Sequence, residues 1–193
     1  MEFRSNEIMH GEDSPFYRSL FKSMGYSDYE LDHKPLIGIS NTWNTCVPGH
    51  FNLNQVNEFV KKGIYSAEGT AVEFGTIGCC DGVAQGHIGM NYILPSREII
   101  CNSIEVMVQA HRLDGIVLLA SCDKIVPGML MAAARLDIPA IVCVGGPMLG
   151  GIEFDGRKSD LTSIDEAKGM TRSGKITEEE YRALENTACP GCG

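Results

Sequence analysis

The stretch "DGIVLLASCDKIVPGMLMAAARLDIPAIVCVGG", residues 114–146, decides the fold. The runs "DGIVLLA" (114–120) and "IPAIVCVGG" (138–146) are compact and apolar, as buried parallel strands are. The segment between them, "PGMLMAAARL" (127–136), predicts a helix with Pro127 in its first turn, where proline fits well. A strand, a helix and a second strand joined by short connections predict a βαβ unit on a parallel sheet.

The same alternation extends toward the N-terminus. The apolar runs "PLIGIS" (35–40) and "TAVEFGTIG" (70–78) predict two further strands. Apolar residues recurring at steps of three and four predict amphipathic helices over 51–68 and 97–113. The sequence therefore predicts an α/β fold, a parallel sheet with helices on both faces.

Three regions are expected along the chain. Residues 1–34 form a polar N-terminal arm with a short helix around "SPFYRSLFKSMG", and residues 35–150 form the α/β domain. Residues 151–193 form a charged, partly helical C-terminal arm. Within it, Thr177 and Glu180 have the spacing of a capping box, which predicts a helix over "ITEEEYRALENTA".

Composition narrows the classes of function. The 193 residues carry a formal net charge of -9, which argues against nucleic-acid and membrane-surface partners because phosphate binding needs clustered Lys and Arg. The N-terminus is charged where a signal peptide is apolar, and charges interrupt the most apolar stretch, 115–149, so it is not expected to cross a bilayer. We therefore expect a cytoplasmic protein whose eight cysteines are core, catalytic or metal-binding residues rather than disulfides.

Two predicted strands end in a Cys-Asp pair. Cys80-Asp81 follows the second strand, and Cys122-Asp123-Lys124 follows the third. Ligands of open parallel sheets bind at the carboxyl ends of strands, where these pairs meet. Thiolates suit a soft metal such as cluster iron and carboxylates suit Mg²⁺, so two different metal centres side by side are predicted. The ordinary alternatives are core cysteines, helix-capping aspartates and a surface ion pair of Lys124.

Other polar residues give weaker signals. His87 is either a ligand or general base, or a packed turn residue between glycines. His111 lies on an apolar helix face and is expected to be a satisfied core histidine. Cys46 and His50 have an i, i+4 spacing, but the Pro-Gly between them argues against a shared helical face.

Three segments together are more specific than composition. "SCDKIVPGMLMAAARLDIPAIVCVGGPM", "CCDGVAQGHIGMNYILPSREIICNSIEVMVQAH" and "PLIGISNTWN" resemble the dihydroxy-acid, sugar-acid and 6-phosphogluconate dehydratase family. The likeness runs from about Pro15 to Gly150 without a large gap. It implies a hydro-lyase with an iron–sulfur cluster (2Fe–2S or 4Fe–4S) beside a Mg²⁺ ion.

The resemblance also implies residue roles. Matched by position, Cys122 is a cluster ligand, and Asp81 and Asp123 are Mg²⁺ ligands. Lys124 matches a lysine that CO₂ carbamylates, which turns a cation into a hard oxygen ligand for Mg²⁺. The implied partners are a small-molecule substrate and a second copy of the protein in a homodimer.

Two departures from the family pattern bear on the site. Gly49 stands where many relatives have a cluster cysteine, which leaves open a different cluster type, an iron without a protein thiolate, or substitution by Cys46 or Cys80. Full family members are also far longer, so the chain resembles an N-terminal fragment. The serine base and a further Mg²⁺ carboxylate are expected beyond residue 193, and no catalytic residue, and no activity, is expected of this stretch alone.

The substrate has a leading and an alternative interpretation. The first is dehydration of 2,3-dihydroxy-3-methyl acids to 2-oxo acids in valine and isoleucine biosynthesis, and the second is dehydration of an aldonate. Outside the family, Cys189 and Cys192 could form a redox dithiol or half of a zinc site. The family pattern instead makes Cys189 its first cysteine and Cys192 a variable position, with the cluster ligand two residues past Gly193.

Overall fold

Four parallel strands form the central sheet of the computed structural model, which describes residues 3–191. In chain order they are β1 (Leu36–Asn41), β2 (Thr70–Gly75), β3 (Gly115–Ala120) and β4 (Ala140–Val144). Their spatial order is β2–β1–β3–β4, and each neighbouring pair runs parallel. The four predicted strands and their parallel arrangement are confirmed.

Seven helices of the described chain surround or precede this sheet. They are α1 (Asn6–Met9), α2 (Ser14–Ser23), α3 (Asp28–His33), α4 (Leu53–Ser66), α5 (Asp81–Ala84), α6 (Ser96–Ala110) and α7 (Ile125–Leu136), with a 3-10 turn at Ile88–Tyr92 between α5 and α6. The long helices α4, α6 and α7 each connect consecutive strands, and they match the helices predicted over 51–68 and 97–113 from apolar periodicity and over 127–136 between two strands. Pro127 lies in the first turn of α7, as expected.

The two faces of the sheet bury different helices because successive side chains of a strand point to opposite faces. On β3, Leu118 packs in the cluster that contains α6 and α7, whereas Leu119 packs in the cluster that contains α4. Both leucines are fully buried, and burial of each stabilises the fold by about 1.5–3 kcal/mol. Helices therefore cover both faces, which confirms the predicted architecture.

The strand order predicts a ligand-binding crevice at the carboxyl end of the sheet. The chain moves from β1 to β2 on one side and then crosses to β3 on the other side of β1. Open α/β sheets bind ligands where the strand order reverses in this way. The loops after β1, β2 and β3 all begin at this edge.

The chain divides into two compact units, Met1–Gly145 and Gly146–Gly193. In the first unit, Met9, Phe21 and Leu31 from the N-terminal helices are buried in the same cluster as α6 and α7. The boundaries predicted for three regions stay predictions.

The second unit contains a short hairpin and two helices. The hairpin pairs β5 (Glu153–Phe154) with β6 (Arg157–Lys158), and it is followed by α8 (Leu161–Arg172) and α9 (Glu178–Glu185). The capping box of Thr177 and Glu180 begins α9, as predicted. Ala167, Leu184 and Ala188 form the buried centre of the unit.

Among the described residues, no helix has both the length and the apolar character that crossing a membrane requires.

Candidate metal centre

Two loops bring two thiols and a carboxylate together at the carboxyl edge of the sheet. Cys80 and Asp81 follow β2, and Cys122 follows β3, the strand on the other side of β1. One potential ligand atom from each of these residues lies within 4.8 Å of the other two. All three residues are half-buried, so the group faces the crevice without being sealed from solvent.

The backbone at Cys122 adopts a conformation that L-residues seldom take. Its φ angle is +74°, in the left-handed region, where a side chain costs roughly 1–2 kcal/mol. The turn brings the next residues back toward Asp81: the Cys122 Sγ lies 3.8 Å from Asp81 Oδ1, and the Lys124 Nζ lies 2.8 Å from Asp81 Oδ2. Strain retained at such a position is typical of functional sites.

Asp81 and Asp123 each divide their two oxygens between the Cys122 thiol and the Lys124 amine. Cys122 Sγ lies 3.8 Å from one oxygen of Asp81 and 3.6 Å from one oxygen of Asp123. The other oxygens accept hydrogen bonds from Lys124 Nζ, at 2.8 Å and 2.7 Å. The site therefore has a soft side of thiols and a hard side where two carboxylates share one cation.

These contacts shift the pKa values of the site. Burial raises the pKa of the Cys122 thiol to about 11, so the thiol is protonated at neutral pH in the metal-free protein. The hydrogen bond from Lys124 lowers the pKa of Asp81, and the hydrogen bonds to Asp123 and Asp81 raise the pKa of Lys124. Lys124 is thus a cation in this state, neutralising two carboxylates.

His50 connects the loops of all three strands. Its imidazole is fully buried, Nδ1 lies 2.7 Å from the Thr42 carbonyl oxygen, and Nε2 lies 2.9 Å from the carbonyl oxygen and 3.2 Å from the amide nitrogen of Ser121. A Cβ on Gly78, after β2, would lie 2.9 Å from the imidazole, so only glycine allows this approach. His50 therefore holds Ser121, the residue before Cys122, against the loop after β1.

The sequence did not indicate this role for His50. The i, i+4 spacing to Cys46 drew attention to the wrong partner, because Cys46 is exposed and lies outside the group of Cys80, Asp81 and Cys122. Asn44 fixes Cys46 in the loop by accepting its amide hydrogen at 2.8 Å. The available signal was the position of His50, in a strand-end loop just before α4.

His87 and His111, which the sequence also singled out, lie outside the group of thiols and carboxylates. His87 accepts from the Gly89 amide through Nδ1 and donates to the Val83 carbonyl through Nε2, so it is a hydrogen-bonded turn residue, although it is exposed rather than packed. The prediction that His111 is a core histidine is wrong. The helix α6 ends at Ala110, so His111 occupies the exposed C-cap position, with its Nδ1 2.8 Å from the Met107 carbonyl.

The terminal cysteines are only partly described. Cys189 is half-buried and follows α9, and no helix begins between it and Gly191, the last described residue. A thioredoxin-like dithiol would instead open a helix, which lowers the thiol pKa. Cys192 lies outside the described residues, so the structure does not test whether Cys189 and Cys192 form a redox dithiol or half of a zinc site.

The family model for the dihydroxy-acid/6-phosphogluconate dehydratase N-terminal region matches residues 34–193. The chain belongs to this dehydratase family. The resemblance read from the three motifs is thereby confirmed, together with the α/β fold.

Curated relatives from this dehydratase family carry more specific names. Over 190 residues, or 98% of this chain, it is 55% identical to the dihydroxy-acid dehydratase of Pyrococcus abyssi and 56% identical to that of Caldanaerobacter subterraneus. It is 52% identical over 190 residues to the dihydroxy-acid dehydratase of Clostridium pasteurianum, of which it covers 66%. The chain covers 34% of each of the first two relatives, about a third of their length.

The structure brings together all four residues predicted to bind metal: Asp81, Cys122, Asp123 and Lys124. It adds Cys80, which the sequence left as one of several alternatives. The group has the donor atoms of a metal site of the Cys/Asp type, and the roles of the individual residues as ligands stay predictions.

Proposed function

We propose that this chain supplies the metal-binding part of a hydro-lyase that dehydrates 2,3-dihydroxy-3-methyl acids to 2-oxo acids, the reaction of valine and isoleucine biosynthesis. The names of relatives at 52–56% identity support the reaction. The observation that carries the proposal is the pairing of a two-carboxylate cation site with two thiols at one edge of the sheet.

The carboxylate side fits Mg²⁺. Asp81 and Asp123 each place one oxygen within 2.8 Å of the Lys124 ammonium, which stands in for a bound cation. Carboxylate oxygens are the ligands that Mg²⁺ prefers. Carbamylated by CO₂, Lys124 would itself offer an oxygen from the same place.

The thiol side fits an iron–sulfur cluster. Such clusters are held by cysteine thiolates, and Cys122 lies within 4.8 Å of a second thiol from another loop. His50 and the turn at Cys122 hold this loop in place before any metal binds, which limits the ordering that binding requires.

When bound, the cluster would supply a Lewis acid for the departing hydroxyl, and Mg²⁺ would polarise the substrate carboxylate and neighbouring hydroxyl. The protein's part is to hold these groups side by side and to neutralise their charge. Asp81 stands between them, with Oδ1 toward Cys122 and Oδ2 toward Lys124. Removal of the substrate proton is assigned to the serine that the resemblance predicts after residue 193.

The test uses the protein made from the complete reading frame, purified without oxygen and supplied with Mg²⁺. We expect bound iron and sulfide and conversion of 2,3-dihydroxyisovalerate to 2-oxoisovalerate, with both Mg²⁺ dependence and turnover lost in Asp81→Asn. Turnover of arabinonate or gluconate without turnover of the branched acid would replace the substrate with an aldonate. Bound zinc without iron would contradict the whole assignment. Light scattering on the same sample tests the proposed homodimer.

A further inference from the structure

We propose that Cys80 is a further protein ligand of the iron–sulfur cluster, in addition to Cys122 and to the cysteine that the family pattern predicts two residues past Gly193. The inference rests on the proposed function and names a residue that the family motif does not supply. For the cluster cysteine that Gly49 replaces, the sequence left open a different cluster type, an iron without a protein thiolate, and substitution by Cys46 or Cys80. The geometry of the crevice selects Cys80.

The first argument is convergence of distant loops. Cys80 ends the loop after β2, and Cys122 begins the loop after β3, and these strands are separated in the sheet by β1. Their ligand atoms nevertheless come within 4.8 Å of each other. Both cysteines are free thiols and half-buried. Two thiols held this close beside a crevice form a site for a soft metal centre rather than for Mg²⁺.

The second argument is that the neighbouring cysteines are excluded. Cys80 has an extended backbone, with φ −91° and ψ 120°, and neighbouring residues of an extended backbone alternate in direction. Cys79 accordingly lies outside the group, although it is also half-buried. Cys46 is exposed, and its amide is tied to Asn44 in the loop after β1.

The third argument separates Asp81 from the thiols. Its Oδ1 atom, the one nearer Cys122, already accepts a hydrogen bond from the Gly82 amide at 2.9 Å. Its Oδ2 atom faces Lys124. Both oxygens of Asp81 therefore already accept hydrogen bonds from nitrogen donors, and the two thiols are the softer ligands that suit iron.

The experiment compares Cys80→Ser with Cys79→Ser, a matched change one residue away, in the protein from the complete reading frame. Each is reconstituted with iron and sulfide without oxygen. We expect Cys80→Ser to change the visible and paramagnetic resonance spectra of the cluster and to lose iron to a chelator about 10-fold faster or more. Cys79→Ser should match the unmodified protein. Circular dichroism verifies that both variants fold.

A second measurement needs no variant. Alkylation followed by mass spectrometry should label Cys80 in the metal-free protein and spare it in the cluster-loaded protein, while the exposed Cys46 is labelled in each. A loaded protein in which Cys80 is still alkylated, or an unchanged spectrum in Cys80→Ser, overturns the role of Cys80 and leaves the proposed function intact. Failure of the unmodified protein to take up iron and sulfide instead overturns the proposed function, and the inference falls with it.

Discussion

The two Cys-Asp pairs at the edge of the sheet have the same sequence and opposite local structures. Cys80-Asp81 continues from an extended backbone into α5, with φ −91° at Cys80. Cys122-Asp123 passes through a left-handed turn, with φ +74° at Cys122. As a result, the Asp81 side chain is 26% exposed and shares the crevice with both thiols, whereas the Asp123 side chain is 62% exposed and reaches the site from its rim.

The difference shows that the sign of φ at the cysteine decides whether the aspartate after it lies beside the two thiols. Both cysteines come into the group, but only Asp81 of the two aspartates lies within it. Lys124 contacts both carboxylates and so couples the two pairs. Substitutions and a change of pH can alter this arrangement, and the largest effect is expected at Lys124.

Substitution of Lys124 should have the largest effect. It is the common partner of both carboxylates, and we propose that its carbamate binds Mg²⁺. In the protein made from the complete reading frame, we expect Lys124→Ala and Lys124→Arg each to lower kcat/KM by about 10²–10³-fold, since arginine keeps the charge but forms no such carbamate. Labelled bicarbonate should give a carbamate carbon signal only in the unmodified protein. Near-normal activity of Lys124→Arg would eliminate the carbamate.

Removal of the His50 imidazole should destabilise the loop that carries Cys122 and Asp123. His50→Ala leaves a cavity and frees the Thr42 carbonyl and the Ser121 amide, so we expect a loss of about 2–4 kcal/mol in the free energy of unfolding by urea. Hydrogen exchange at Ser121 should accelerate. His87→Ala, which removes an exposed turn residue, is the control and should cost less than about 1 kcal/mol. Equal losses in the two variants would argue against a bridging role for His50.

Glycine and alanine should have opposite effects at the two cysteines. At Cys122 the left-handed backbone favours glycine, so Cys122→Gly should be more stable than Cys122→Ala by about 1 kcal/mol. At Cys80 the extended backbone favours alanine by up to about 1 kcal/mol. Urea unfolding of the four metal-free variants measures both differences. If glycine, or alanine, were the more stable residue at both positions, the backbones of Cys80 and Cys122 would not differ in solution as they do in this structure.

The smallest expected effect is that of Asp81 on the pH dependence of stability. The Lys124 hydrogen bond lowers the pKa of Asp81, so this group stabilises the metal-free fold above its unfolded pKa of about 3.9, and the contribution disappears as the pH falls below that value. Between about pH 6 and pH 3, Asp81→Asn should therefore lose less stability than the unmodified protein, by up to about 1 kcal/mol. If the stability of Asp81→Asn falls as steeply as that of the unmodified protein, the contact between Asp81 and Lys124 does not contribute to the pH dependence.

The helices of the second unit show what sequence patterns can miss. The helix α9 was predicted from its Thr177–Glu180 capping box and is confirmed. The helix α8 was not predicted, because its buried residues, Ser163 and Ala167, are too small to give a clear apolar period. The capping box of Asp160 and Ser163 at its start was the available signal.

By itself, the sequence determined the sheet, the three long connecting helices and the family, because long apolar periods and a specific motif are local properties. It also indicated that Asp81 and Cys122 follow strands whose ends meet. Only the tertiary structure decided that Cys80 joins them, that Asp123 stays at the rim and that His50 ties three loops together. Those relations depend on the spatial order of the strands and on one left-handed turn, which long-range packing fixes and no local pattern records.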